Sequence, residues 1–147
     1  MINLAVIDDQ NSMVNTLRFL IEAIPDIFLV GCASNGEDAI RIVEEHQPDV
    51  VLMDISMPVM NGIDATKIIT QRFSNTKVIL LTGYDNQQFR SLAIKAGADG
   101  YVSKLTDLDN INLAIDLVTA GYEFYNFEQI SRKRYQSEIV DFNPSKN

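Results

Sequence analysis

Five short, largely apolar runs alternate with five amphipathic segments along this chain, and that rhythm leaves few folds open. The runs are Leu4 to Ile7, Ile27 to Cys32, Val50 to Met53, Lys77 to Leu81 and Asp99 to Val102. Near-continuous apolar stretches of this length suit central strands of a parallel sheet covered by helices on both faces. Between them, Val14, Leu17, Ile21 and Ile24 recur at three- and four-residue spacing and predict a helix that ends before Pro25-Asp26. Ser34 and Glu37 have the spacing of a capping box, with Ala39, Ile40 and Val43 as the buried stripe of a second helix. Asn61-Gly62 opens a third helix through Ile63, Lys67 and Ile68. Asp85 with Gln88 predicts the cap of a fourth, with Phe89, Leu92, Ala93 and Ala96 as its stripe and Gly97 as its end. Leu108, Ile111, Ile115 and Val118 predict a fifth that stops near Gly121. Strand and helix in strict alternation imply a doubly wound α/β domain with right-handed crossovers.

Composition narrows the function classes. A chain of 147 residues with 46% hydrophobic content supports one compact core. Twenty acidic against twelve basic residues give a net charge of −8, which argues against a broad nucleic-acid grip by these residues. Cys32 is alone, so no disulfide framework is expected and a reduced, cytoplasmic setting is. The start Met1-Ile2-Asn3-Leu4 lacks a basic leader, and no apolar stretch approaches the ~18 residues of a membrane span.

The third run ends abruptly on Asp54. A carboxylate closing a buried strand must be partly solvated, paired or metal-bound. Pro58 then stops the ladder and forces a loop. In doubly wound sheets, sites gather at the carboxyl ends of the strands. Asp8 and Asp9 end the first strand, Asp54 the third, Thr82 the fourth and Lys104 the fifth, so all five are expected on one rim. Three adjacent carboxylates repel unless a hard divalent cation and an ammonium accompany them, and oxygen ligands without clustered His or Cys point to Mg²⁺. That set suits phosphoryl transfer to an aspartate: Asp54 attacks phosphorus, the metal neutralises equatorial oxygens, and Thr82 and Lys104 bind the others. Singly, each residue has a plainer reading: Asp8 or Asp9 as a helix N-cap, Thr82 as a turn former, Lys104 as a surface charge.

From about Asn3 to Ala120 the chain resembles the receiver domain of two-component response regulators. The resemblance rests on Asp8-Asp9, on Met53-Asp54-Ile55-Ser56-Met57-Pro58 with Gly62, on Thr82-Gly83, on Ala96-Gly97-Ala98-Asp99-Gly100-Tyr101, and on Lys104. It implies a flavodoxin-like (βα)5 fold with a five-stranded parallel sheet in the order 2-1-3-4-5. It implies that a histidine kinase or phosphotransfer protein phosphorylates Asp54. Mg²⁺ is then held by Asp9, Asp54 and the backbone carbonyl of Ser56, with Asp8 acting through water. Thr82 and Tyr101 are implied as the switch pair: on phosphorylation the Thr82 hydroxyl moves to the phosphoryl group and Tyr101 turns inward. The fourth helix, fifth strand and fifth helix would be the output surface. Homodimerisation is compatible with the resemblance and not specified by it.

Two positions depart from the family pattern. Where many relatives have proline after the lysine, with a cis bond, this chain has Leu105, and a non-proline cis bond costs about 3 kcal/mol. Where relatives commonly have alanine after the threonine, this chain has Gly83, expected to give freer access and a looser loop. Ser56 and Tyr84 flank the pocket mouth and are expected to influence how fast water removes the phosphoryl group.

Residues 1–121 are thus read as the receiver and 122–147 as an extension or linker, partly helical. Tyr122, Phe124, Tyr125, Phe127 and Ile130 are apolar for a free linker, and Ile130 to Ile139 with Arg132-Lys133-Arg134 predicts a short helix with a basic patch. The tail resembles the connector of NarL/LuxR-like regulators, whose next domain is a DNA-binding helix-turn-helix that these residues do not contain. The alternative is a stand-alone regulator acting through protein partners. An aspartyl-nucleophile phosphohydrolase is the reading from another class, but such enzymes place an acid two residues past the nucleophile, and here that residue is Ser56. A flavodoxin-like nucleotide binder lacks support, because acids occupy the place of a glycine-rich phosphate loop.

Overall fold

The computed structural model describes residues 1–106 and 108–125. Six strands alternate with five helices: β1 (Ile2–Ile7), α1 (Asn11–Glu22), β2 (Ile27–Ala33), α2 (Gly36–His46), β3 (Val50–Asp54), α3 (Gly62–Arg72), β4 (Lys77–Thr82), α4 (Gln87–Ala96), β5 (Gly100–Ser103), α5 (Leu108–Thr119) and β6 (Phe124–Tyr125). All pairings are parallel and the order is β2-β1-β3-β4-β5-β6. The doubly wound fold is as expected, but the sheet has six strands rather than five.

The extra strand comes from the first residues past Gly121, which ends α5 in the left-handed conformation at φ 97°. Phe124 pairs with Gly100 and Tyr125 with Tyr101. Phe124 is buried against the α1/α5 layer, while the Tyr125 phenol donates to the Ala98 carbonyl on the opposite face. Two apolar residues are too short a run to show a strand period in sequence; what makes them a strand is a β5 edge within reach. Gly100 leaves room for this, since a Cβ there would lie 3.2 Å from the Phe124 carbonyl.

Alternate strand residues feed two layers. Ala5, Ile7, Val51, Met53, Leu80 and Tyr101 pack toward α2, α3 and α4. Leu4, Val6, Leu52, Ile79, Leu81 and Val102 pack toward α1 and α5. Because both faces are covered, β1, β3, β4 and β5 carry apolar residues at every core position, which is why they read as runs.

The helix starts correct two expectations by one residue each. The cap of α2 is Asn35, not Ser34, with Asn35 Oδ1 accepting from the Asp38 amide and Asp38 accepting from the Asn35 side chain. The cap of α4 is Asn86, accepting from the Phe89 amide, not Asp85. In both places two neighbouring residues are competent caps, and the backbone turn selects the second. Asn61 caps α3 as expected, and Gly97 ends α4 at φ 89°. The fifth strand begins at Gly100; Asp99 stays outside it and accepts from the Val78 amide. The predicted helix over 130–139 and its basic patch lie outside the described residues.

Candidate functional site

Strand ends β1, β3, β4 and β5 bring Asp8, Asp54, Thr82 and Lys104 to one rim. Lys104 Nζ stands 2.7 Å from Asp8 Oδ2 and 3.2 Å from Asp54 Oδ2, so one ammonium serves two carboxylates. Asp8 and Asp54 are both buried, whereas Asp9 is exposed. Asp8 is not a helix cap: the first residue before α1 is Gln10, whose own amide donates to Asp8 Oδ1 at 2.9 Å. Burial, and after it the Asp8 carboxylate, push the Asp54 carboxyl up to about 6 against the pull of Lys104. At Lys104, burial disfavours the ammonium, but Asp8 and Asp54 outweigh it and the pKa rises.

The donor set fits a hard divalent cation. One carboxylate oxygen from each of Asp8, Asp9 and Asp54 lies within 4.8 Å of the others. Buried Asp8 Oδ2 has the Lys104 ammonium beside it and no directed hydrogen bond, leaving acceptor capacity. All-oxygen ligands of this charge suit Mg²⁺ or Ca²⁺ rather than zinc.

The loop from Asp54 to α3 is tightly closed. The Gly62 amide donates to the Ile55 carbonyl at 2.8 Å, and a Cβ on Gly62 would sit 2.0 Å from the Asp54 carbonyl oxygen. Val59, a β-branched residue, is held at φ 68° with the Met60 amide on the Pro58 carbonyl, a strained turn beside the site. Ser56 is exposed on this loop, and Tyr84 is exposed across the mouth.

Behind the rim, Thr82 Oγ1 donates to the Tyr84 carbonyl at 2.7 Å and accepts from the Tyr84 amide at 3.1 Å. Tyr101 is fully buried and its phenol donates to Asp85 Oδ1 at 2.8 Å. Arg90 holds Asp85 with two hydrogen bonds, Nε to Oδ1 at 2.9 Å and Nη2 to Oδ2 at 2.6 Å. Burial, then the Asp85 carboxylate, raise the Tyr101 phenol well above its ordinary range. Sequence reading missed this role for Asp85 and Arg90. Asp85 reads in sequence as a local cap and Arg90 carries no assignment, and no spacing rule links a loop acid to an arginine five residues on and a tyrosine in the next strand.

A family model for the response regulator receiver domain matches residues 4–116. The chain belongs to the response regulator receiver family. It is 34% identical over 120 residues to the transcriptional regulatory protein DegU of Brevibacillus brevis, covering 82% of this chain and 51% of that one. It is 31% identical over 142 residues to the response regulator GacA of Pseudomonas viridiflava, covering 95% of this chain and 66% of GacA. Among solved structures, a LuxR-family two-component response regulator from an Aurantimonas species superposes with a TM-score of 0.82 at 29% identity, covering 95% of this chain and 99% of that one. The receiver thus spans about half the length of the DegU relative, and its relatives are transcriptional regulators.

Two features of this receiver bear on the departures noted in its sequence. The Lys104-Leu105 bond is trans, yet Lys104 still reaches both acids; the Lys104 amide is tied to the Thr82 carbonyl at 2.8 Å and the Leu105 amide to Ser103 Oγ at 3.1 Å. At Gly83 an added Cβ would meet only Lys104 Cδ, at 3.9 Å, so glycine is not sterically demanded.

The raised Asp54 carboxyl has a consequence for stability. Its folded pKa of about 6 lies above the unfolded value of 3.8, so the native state keeps a proton that the unfolded chain has released between those limits. Stability therefore falls as pH rises through that window, and the full cost is present above it. Asp54→Asn is expected to stabilise the metal-free receiver at pH 7.5 by about 1 to 3 kcal/mol, the gain fading toward pH 4. Urea midpoints of both proteins across that range check it; a variant less stable than wild type at pH 7.5 contradicts it.

Proposed function

We propose that this receiver is a phosphorylation-dependent switch in which Asp54 takes a phosphoryl group from the phosphohistidine of a kinase or phosphotransfer protein. The carrying observation is the shared ammonium: Lys104 holds Asp54 and Asp8 together on a rim where a third carboxylate, Asp9, is within metal-ligand distance. Asp54 attacks phosphorus as a carboxylate, a P–O bond forms, the P–N bond breaks, and the electron pair returns to the imidazole nitrogen, which takes up a proton. Mg²⁺ would be held by Asp9, Asp54 and the Ser56 carbonyl, with Asp8 through water, and when bound supplies charge neutralisation for the phosphoryl oxygens. Lys104 binds an equatorial oxygen, and the Thr82 hydroxyl binds another after leaving the Tyr84 carbonyl.

The receiver unit reaches Tyr125, because β6 completes its sheet past the boundary at 121 expected from sequence, and an output domain of the kind the relatives' names imply would be joined beyond it. Binding to DNA would reside there and not in these residues. No helix among the described residues is long and apolar enough to cross a membrane. A phosphohydrolase reading predicts steady multiple turnover of a phosphoester, whereas a receiver forms one slowly decaying phosphoryl adduct. Phosphate release from p-nitrophenyl phosphate over many enzyme equivalents would overturn the switch; release limited to the decay of a preformed adduct supports it.

A further inference from the structure

The turn after β5 carries Lys104 to the two buried acids, and Ser103 supplies both acceptors that close it. The Ser103 carbonyl accepts from the Thr106 amide at 3.1 Å, so 103–106 is a β-turn with Lys104 and Leu105 at its centre. The Ser103 hydroxyl oxygen accepts from the Leu105 amide, also at 3.1 Å, and bridges the same turn from the side chain. Ser103 is itself fixed, being buried and paired in register with Thr82 of β4. The donor at 105 exists because that residue is leucine; proline would have no N–H to offer.

What this does to the lysine follows from peptide planarity. Lys104 lies between two peptide planes, and each carries one anchored N–H. The Lys104 amide donates to the Thr82 carbonyl at 2.8 Å, and the Leu105 amide donates to Ser103 Oγ. With both planes held, the backbone angles of Lys104 are set, and with them the direction in which its side chain departs. The Leu105 side chain is 79% exposed, so no buried apolar contact steadies the second plane in place of the hydroxyl. Farther on, Thr106 is tied to α5 by the Asn110 side-chain amide at 2.9 Å, which leaves that plane untouched. The ammonium at the end of this lysine sits 2.7 Å from Asp8 and 3.2 Å from Asp54 on a flexible four-carbon stem. A fixed departure direction limits the placements of that stem to those that reach both acids.

We infer that Ser103 is a positioning residue for phosphoryl transfer: through the Leu105 amide, its hydroxyl fixes the backbone direction from which Lys104 reaches Asp54 and the incoming phosphoryl group. Ser103 acts through the lysine and not on phosphorus. This rests on the receiver reading above.

The test compares Ser103→Thr with Ser103→Val in the full chain, two variants that match in shape and differ by the hydroxyl. Adduct formation from acetyl phosphate at saturating Mg²⁺ is followed by intact mass, and exchange of the Leu105 amide by NMR. Ser103→Thr is expected to keep the slow exchange of that amide and a wild-type rate within about twofold. Ser103→Val is expected to slow adduct formation about three- to tenfold, the range of one neutral hydrogen bond, and to speed exchange of the Leu105 amide. Ser103→Ala gives the same reading should valine disturb the packing around it. A role in folding alone would lower the urea midpoint and leave the rate of the folded protein unchanged. Lys104→Met supplies the second arm. With the ammonium gone, adding Ser103→Val is expected to change the residual rate by less than about twofold, since residues that act through one group do not add. A Ser103→Val rate equal to that of Ser103→Thr, or an equal slowing in the Lys104→Met background, would overturn the assignment. Absence of any adduct on the wild type counts against the receiver reading, and exchange of the Leu105 amide then still decides whether the Ser103 hydroxyl holds the turn.

Discussion

Replacing Gly62 with alanine is expected to destabilise this receiver by about 3 kcal/mol, an unusually large effect for adding one methyl group. The added Cβ would fall 2.0 Å from the Asp54 carbonyl oxygen and 3.2 Å from Ile55 Cα. Those neighbours are backbone, so no side chain can swing aside. The loop must open, and the Gly62 amide then loses the Ile55 carbonyl it now bonds at 2.8 Å. Opening also drags the residue that carries the nucleophile, so phosphorylation suffers together with stability. Gly83→Ala is the internal control: its Cβ has open space apart from Lys104 Cδ, and it is expected to change stability by less than about 0.5 kcal/mol. Urea midpoints of the two variants check both claims, and a Gly62→Ala midpoint equal to that of Gly83→Ala would show that the closeness seen here relaxes freely.

Lys104→Met should have the largest effect on the chemistry. The ammonium contacts Asp8 at 2.7 Å and Asp54 at 3.2 Å, and both acids are buried. Its removal strips an electrostatic donor from the phosphoryl oxygens, a loss of about 10²- to 10³-fold in the transfer rate by analogy with oxyanion donors. It also leaves two neighbouring carboxylates without their counter-ion. Breaking a buried pair from one side costs about 3 to 5 kcal/mol, less whatever is recovered when Asp54 takes up a proton. Because a bound divalent cation stabilises only the native state, millimolar Mg²⁺ should restore more stability to Lys104→Met than it adds to wild type. Thermal melts with and without Mg²⁺, beside rates of adduct formation, separate the two losses. A variant that keeps wild-type phosphorylation would remove Lys104 from the site.

Much of this architecture can be read before any coordinates are seen, and the reason is physical. Buried parallel strands need apolar residues on both faces, so Val50 to Met53 announces a strand, and the charge that ends it announces the rim. The parallel topology then carries Asp8, Thr82 and Lys104 to the same end without further information. The missed features depend on tertiary context. Phe124 and Tyr125 are apolar in sequence, but only the neighbouring β5 edge makes them a strand. Ser34 against Asn35, and Asp85 against Asn86, are decided by backbone angles that adjacent polar residues do not betray. Asp85 looked like a local cap because the residues that claim it, Arg90 and Tyr101, come from a later turn and the next strand. Leu105 shows the converse: a departure from the family pattern that leaves Lys104 in reach of both acids through a trans bond.

Intact mass after incubation with Mg²⁺ and acetyl phosphate decides whether Asp54 is the phosphoryl acceptor. The wild-type chain is expected to gain one phosphoryl group, lost on chelating Mg²⁺ before the reaction and absent from Asp54→Asn. No adduct on the wild type, or an adduct of the same extent on Asp54→Asn, would contradict it.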